Sequence, residues 1–409
     1  MSETEKFVIV GAGLTGATAA KTLRAEGFTG RIRLVGSELH RPYIRPPLSK
    51  DFLAGSATRE SADVEAPDWY RDNDIDLTLH TDAVTLDPQT HRLELAGTGW
   101  IDYDSLLLAT GSTPRLLDIP GTDLPGVHYL RTVDQAETLR HLLADGGKRL
   151  VLIGSGWIGM EVASVARTLG NDVTVLERDP IPLATALGDE LGQMFADLHA
   201  EHGVVLRPSV RVAEITGENG RVSGVRLDDG EIVAADLVLV GVGAVPNVEL
   251  AQRAGLAVDN GVLVDAALRT SDPSVYAAGD IANAMHPLIG QRLRSEHWAN
   301  ALKGGAAAAR SMLGQSVSYD DVPYFYTDQF DLGMEYSGYG PLTRGAFVVY
   351  RGDRRNRTFI AFWVANDRVV AGMNVNVWDV NEAVQGIIRR AHPVDAARLA
   401  DETVPLEEL

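Results

Sequence analysis

Two stretches of this chain carry glycines at a spacing that can do chemistry. Gly11, Gly13 and Gly16 follow the apolar run Phe7-Val8-Ile9-Val10, and Gly154, Gly156 and Gly159 follow Leu150-Val151-Leu152-Ile153. In such a pattern the first glycine permits a sharp turn out of a strand and the second lets backbone approach a pyrophosphate. The third lets the next helix pack close against its sheet. Phosphates would then face a helix N-terminus, where free N–H groups and the dipole favour negative charge. Each stretch runs on through a second apolar strand to an acid, residues 32–35 leading to Glu38 and residues 173–176 to Glu177. A carboxylate at that place receives ribose hydroxyls. Two full units of strand, glycines, helix, strand and acid imply two bound dinucleotides.

Further candidates lie outside the glycine motifs. His40 to Lys50 holds three prolines, which forbid regular helix, predict an extended path and could hold Arg45 and Lys50 against a ligand. A surface turn with solvated bases is the bland alternative. The apolar run ending Leu108-Ala109-Thr110-Gly111 stops on small residues suited to close passage beside a flat ligand. Residues 275–280 end in Gly279-Asp280, which places a carboxylate at the carboxyl edge of a sheet, or else caps a following helix. Ser295-Glu296-His297-Trp298 opens an alanine-rich helix to about Met312, with Ser295 the expected N-cap.

Those elements need several domains, because 409 residues exceed one ordinary core. The expected organisation is α/β. A first dinucleotide domain comprises residues 1–114 and 244–323, a second is inserted as residues 115–243, and residues 324–409 form an α+β domain. In that last part, aromatic and alternating segments predict antiparallel strands, and residues 379–391 predict a helix. The connector 351–357 carries four arginines and reads as a solvated hairpin tip.

Composition narrows the chemistry. With 45% apolar and 23% charged residues the chain is of the globular class, and a formal charge of −19 disfavours nucleic acid and anionic membranes. No apolar run approaches a membrane span, and Met1 to Lys6 lead into a strand without a signal-peptide core, so a cytoplasmic location is expected. Absence of cysteine removes disulfides, thiolate nucleophiles, redox dithiols and Cys-ligated metal. The ten histidines show no metal-ligand spacing, so no metal is expected. Redox chemistry would have to use bound cofactors.

Taken together, the two glycine motifs, Arg45-Pro46-Pro47-Leu48-Ser49-Lys50, Ala109-Thr110-Gly111, Glu161, Ala278-Gly279-Asp280 and Tyr326-Thr327-Asp328-Gln329 resemble the FAD-dependent ferredoxin reductases. More narrowly they resemble the putidaredoxin reductase type, which serves bacterial cytochrome P450 and ring-hydroxylating dioxygenase systems. The resemblance implies two Rossmann-like domains of the glutathione-reductase kind plus the C-terminal domain, with FAD in the first and NADH in the second. It implies that Gly11, Gly13, Leu14, Thr15, Gly16, Ser37, Glu38, Arg45, Lys50, Val84, Ala109, Thr110, Gly111, Arg131, Gly279, Asp280, Glu296, His297, Trp298 and Tyr326 hold FAD. Gly154, Gly156, Trp157, Ile158, Gly159, Glu161, Glu177 and Gly243 would serve the nicotinamide nucleotide. Trp157 and Tyr326 replace the Tyr and Trp common in the family. Lys50 and Glu161 are expected to meet and serve hydride transfer. The expected partner is a transiently bound [2Fe–2S] ferredoxin, with no nucleic acid or membrane, and the chain a monomer or weak dimer. Rubredoxin reduction and an apoptosis-inducing-factor-like NADH sensor are the alternatives. Arg292, Arg294 and Arg310, with Arg389 and Arg390, are the expected basic patch for an acidic partner.

Overall fold

A computed structural model describes residues 4–409; Met1 to Glu3, where the signal-free start was read, lie outside them. The chain divides into two compact units. Among the described residues, the first comprises those up to 44 with 60–113 and 245–325, and the second residues 45–59, 114–244 and 326–409.

The first unit is built on a five-stranded parallel sheet in the order Val275–Ala277, Ser105–Leu108, Lys6–Val10, Arg31–Val35, Ile75–Thr78. Central strands of such a sheet are covered on both faces, which is why 7–10 and 106–108 read as unbroken apolar runs and are buried. The chain leaves Lys6–Val10 for the helix Leu14–Ala25 and returns to Arg31–Val35 on one side, while Ser105–Leu108 pairs on the other. Strand order therefore reverses at the carboxyl end of Lys6–Val10, the place where open α/β sheets take ligands. Helix Trp298–Met312 packs on Leu14–Ala25 through Gly305, where an added Cβ would meet Thr15 O at 2.4 Å. Its N-cap is His297 with no side-chain cap bond, which corrects the expected Ser295 cap. The Ser295 hydroxyl instead lies 3.5 Å from the His297 amide, two residues too early to reach the first orphan N–H groups.

The second unit repeats the plan. Its parallel sheet runs Val205–Arg207, Asp172–Leu176, Arg149–Ile153, Leu237–Val240, Val127–His128, and the helix Trp157–Thr168 follows the central strand. A five-stranded sheet from the C-terminal part, Tyr324–Gln329, Leu332–Gly338, Arg368–Val375, Thr358–Ala365, Phe347–Asp353 in spatial order, is antiparallel in its last four strands. Helix Asn381–Arg390 covers it, close enough that a Cβ on Gly372 would meet Val384 at 2.4 Å. The hairpin tip is exposed as expected, but three of its four arginines have partners. Arg354 binds Glu190, Arg357 binds Glu201 at 2.6 Å, and Arg351 donates to the carbonyls of Asp401 and Val404. Their partners lie far away in sequence, so local composition gave no sign of them.

Candidate functional site

The first glycine cradle follows from its contacts. Gly11 has φ +117°, and a Cβ there would lie 2.0 Å from Ala109 O, so neither conformation nor space admits a side chain. Gly16 faces Gly11 O at the same 2.0 Å, which lets the helix begin against its own loop. Gly13 is different: nothing lies within 4 Å of where its Cβ would be. The fold needs the outer two glycines, while the middle one leaves open room beside a helix N-terminus, as a pyrophosphate requires. Leu14 and Thr15 form the first helical turn, and Gly279 at φ +76° fits against the Thr15 side chain, where a Cβ would meet Oγ1 at 2.3 Å.

The acids and small residues of this unit are held in place. Glu38 accepts from Tyr43 Oη at 2.5 Å, beyond the end of Arg31–Val35 and next to exposed Ser37. Asp280 is buried in a single 3-10 turn and accepts from Ser112 Oγ at 2.7 Å. Asn247 clasps the small-residue stop: its side-chain amide donates to Thr110 O at 2.8 Å and its backbone to Gly111 O at 3.0 Å. Ser112 and Asn247 were not singled out in the sequence, where each is only a polar residue near a loop. Trp298 opens its helix half-buried, and its Nε1 is buried without a hydrogen-bond partner, a donor suited to a polar ligand atom. His297 stacks on Phe325 at 4.3 Å, and burial pushes it down to about 4 against the opposing influence of Asp280. Val84 lies exposed on the strand Ala83–Asp87.

The second cradle repeats the first. Gly154 has φ +101° and a Cβ there would meet Gly241 O at 2.5 Å; Gly159 faces Gly154 O at 2.7 Å. Gly156 is open, with its nearest atom at 4.0 Å, and Gly243 has φ +105° with nothing near. Trp157 packs edge-on against Phe195 at 5.8 Å, and Ile158 beside it is 48% exposed, an apolar side chain left free at a helix start. Glu177 closes the loop, accepting from the Ser155 amide and hydroxyl, both at 2.7 Å, and from the Asp179 amide at 2.9 Å. Burial pushes Glu177 up, but these hydrogen bonds together outweigh it and hold the carboxyl below its ordinary range. A cleft of about 240 Å³ lies there, lined among others by Ser155, Glu177, Gln193, Asp197 and Arg207. Both nearby arginines have acid partners: Arg207 makes a bidentate pair with Glu231 at 2.9 and 2.7 Å, and exposed Arg178 sits 3.4 Å from Asp179.

The same unit holds residues 45–50 of the proline loop. The loop's first part is extended, with Tyr43 in a bridge to Asp63, and its second part is not. Pro46–Ser49 is one 3-10 turn, with the prolines at its first positions, where a missing N–H costs nothing. That turn delivers Lys50 Nζ to 2.8 Å from Glu161 Oε1, and the Ser49 hydroxyl donates to Glu161 Oε2 at 2.5 Å. Lys50 also lies 5.3 Å over the Tyr326 ring, within cation–π range. Arg45 donates to the Arg131 carbonyl.

Two arginines of the expected basic patch, Arg294 and Arg310, are paired with acids. Arg292 donates to the carbonyls of Val264 and Asn283, Arg294 to Asp280 O and Glu296, and Arg310 to Glu26. Glu296 is thereby an ion-pair partner of Arg294 at 2.6 Å.

Two parallel sheets, each with a glycine cradle open at its middle position, define a protein of the double dinucleotide-binding class. Residues 5–305 match the pyridine nucleotide-disulphide oxidoreductase family and residues 324–409 the reductase C-terminal family, and the chain belongs to the first and carries the second. Rhodocoxin reductase of Rhodococcus erythropolis is 40% identical over 98% of this chain and 93% of its own. The ferredoxin–NAD(+) reductase component of the anthranilate 1,2-dioxygenase system of Burkholderia cepacia is 38% identical over 98% of both. Among solved structures, the covalent putidaredoxin reductase–putidaredoxin complex matches with a TM-score of 0.94 at 36% identity, covering 100% of this chain and 98% of that one. Among the described residues no helix is long and apolar enough to cross a membrane.

Proposed function

We propose that this chain is an FAD-dependent oxidoreductase that takes hydride from NADH and passes electrons singly to a [2Fe–2S] ferredoxin feeding a cytochrome P450 or another oxygenase. It would act in the cytoplasm as a monomer or weak dimer. The observation that carries the reading is the pair of cradles whose middle glycines, Gly13 and Gly156, serve no packing need of the protein itself. A chain without cysteine has no dithiol to receive electrons, so the family's disulfide chemistry is closed to it.

The residues of the first unit fit FAD. Gly13 leaves room for the pyrophosphate, Glu38 offers a carboxylate to ribose, buried Asp280 suits a polar chain, and Trp298 has an unused indole N–H. The flavin, when bound, accepts two electrons as hydride and releases them one at a time. In the second unit Gly156 leaves room for the NADH pyrophosphate, and Glu177, fixed by three hydrogen bonds, receives the adenosine ribose and repels a 2′-phosphate. Arg178 and Arg207, the cations nearest that place, are each paired with an acid, Asp179 and Glu231. Lys50, held by Glu161 within the second unit, is the fixed cation assigned to hydride transfer.

The test is to purify the flavoprotein, identify the flavin it releases on heating, and follow NADH-driven cytochrome c reduction with and without a [2Fe–2S] ferredoxin. FAD and a strong requirement for ferredoxin are expected. Release of no flavin, or turnover indifferent to ferredoxin, would overturn the proposal.

A further inference from the structure

Glu161 ends a run of buried side chains that hydride transfer alone does not require. Thr327 Oγ1 lies 2.7 Å from Glu161 Oε1, Gln329 Nε2 lies 3.1 Å from Thr327 Oγ1, and His199 Nε2 lies 2.8 Å from Gln329 Oε1. Thr327, Gln329 and His199 are all at 0% exposure. They come from the strand Tyr324–Gln329 and the helix Asp189–Glu201, while Glu161 stands on Trp157–Thr168.

The direction of every bond is forced. A carboxylate paired with Lys50 can only accept, so Thr327 donates to it. The Thr327 oxygen then accepts, which obliges Gln329 to present its NH₂ group there and its carbonyl to His199. A carbonyl cannot donate, so His199 carries its hydrogen on Nε2. The other ring nitrogen, Nδ1, is then a bare lone pair, and it is buried without a partner. A buried lone pair is tolerated more often than a buried N–H without an acceptor. The ring's surroundings agree: Phe330 meets it edge-on at 5.0 Å, and burial, helped by His202 and opposed by the Gln329 bond, pushes His199 down to about 4. It is neutral at neutral pH, as the chain of donors demands.

We propose that neutral His199, Gln329 and Thr327 form a positioning relay that fixes the Glu161 carboxylate, and through it the Lys50 ammonium, for hydride transfer. The proposal rests on the reading above, in which Lys50 and Glu161 serve that step. Ser49 fixes one carboxylate oxygen directly; the relay fixes the other, with each member orienting the next. None of the three is a catalytic residue. They act through Glu161 and tie the helix Asp189–Glu201 to it.

The test uses the full-length flavoprotein with ¹⁵N-labelled histidine. Long-range proton–nitrogen correlation at neutral pH should show His199 neutral with its hydrogen on Nε2, and an Nδ1–H tautomer or an imidazolium would overturn the relay. In Thr327→Val the Gln329 amide loses its acceptor, so the His199 tautomer should become mixed. Flavin reduction by NADH should slow about tenfold with NAD⁺ affinity unchanged. Thr327→Ser should restore both the tautomer and the rate. Wild-type rate and tautomer in Thr327→Val would refute positioning. Should that variant fail to fold, the wild-type tautomer still decides. If His199 holds its hydrogen on Nε2 while the wild-type enzyme passes no electrons from NADH to ferredoxin, the functional reading falls and the relay stands.

Discussion

Replacing Lys50 by Met removes the ammonium and keeps an unbranched apolar stem. The Lys50 and Glu161 side chains are 13% and 6% exposed, so Glu161 is left a buried carboxylate without its counter-ion. Breaking a buried pair from one side costs about 3–5 kcal/mol. Ser49 and Thr327 still donate to Glu161, at 2.5 and 2.7 Å, and hydrogen bonds to a charged group contribute about 1.5–3 kcal/mol each. The loss should therefore sit at the low end, about 3 kcal/mol. Glu161→Gln combined with Lys50→Met buries no charge and should return to within about 1 kcal/mol of wild type. Urea unfolding of wild type, both single variants and the double variant closes a cycle that isolates the coupling. The reasoning requires a coupling of about 1.5 kcal/mol or more. Strictly additive losses would refute it. Stopped-flow reduction of the flavin by NADH should be slow in all three variants, including the restabilised double variant, which separates the charge's chemical role from its structural one.

Further outcomes follow from the same geometry. Gly11→Ala places a methyl 2.0 Å from Ala109 O and should cost folding outright, whereas Gly13→Ala meets nothing within 4 Å and has a negative φ. It should fold like wild type and lose FAD, which flavin content against circular dichroism will show. Glu177→Ala with Glu231→Gln frees the Ser155 loop and Arg207, so kcat/KM should fall for NADH and rise for NADPH; an unchanged ratio would remove Glu177 from coenzyme choice. His199, lowered by burial from 6.5 to about 4, binds its proton more readily unfolded than folded. Its share of stability is complete above pH 6.5 and lost as pH falls toward 4, at most about 3 kcal/mol. His199→Gln should flatten that part of the urea-midpoint curve.

Much of the fold was legible because its signals are local. Strand, glycine spacing, helix and acid occupy a few tens of residues in each cradle, and buried parallel strands announce themselves as apolar runs. The Lys50–Glu161 pair was legible only through resemblance, since nothing in either neighbourhood names the other. Thr327, Gln329 and His199 were beyond reach as a network, because two arise from an aromatic strand and one from an amphipathic helix with no shared period. The arginines misled for the same reason. Arg294, Arg310, Arg354 and Arg357 look free in sequence, and acids on distant segments or nearby loops occupy them. Local spacing also put the helix cap at Ser295, two residues before the turn where His297 starts the helix.

The central claim is that electrons enter as a hydride pair and leave singly to an iron–sulfur protein. Anaerobic titration of the flavoprotein with limiting NADH, in the presence of excess oxidised [2Fe–2S] ferredoxin, tests it most directly. Two ferredoxins should be reduced for every NADH consumed, as a two-electron donor and one-electron acceptor require. A reduced flavoprotein that holds NAD⁺ in a long-lived complex while the ferredoxin stays oxidised would contradict the account.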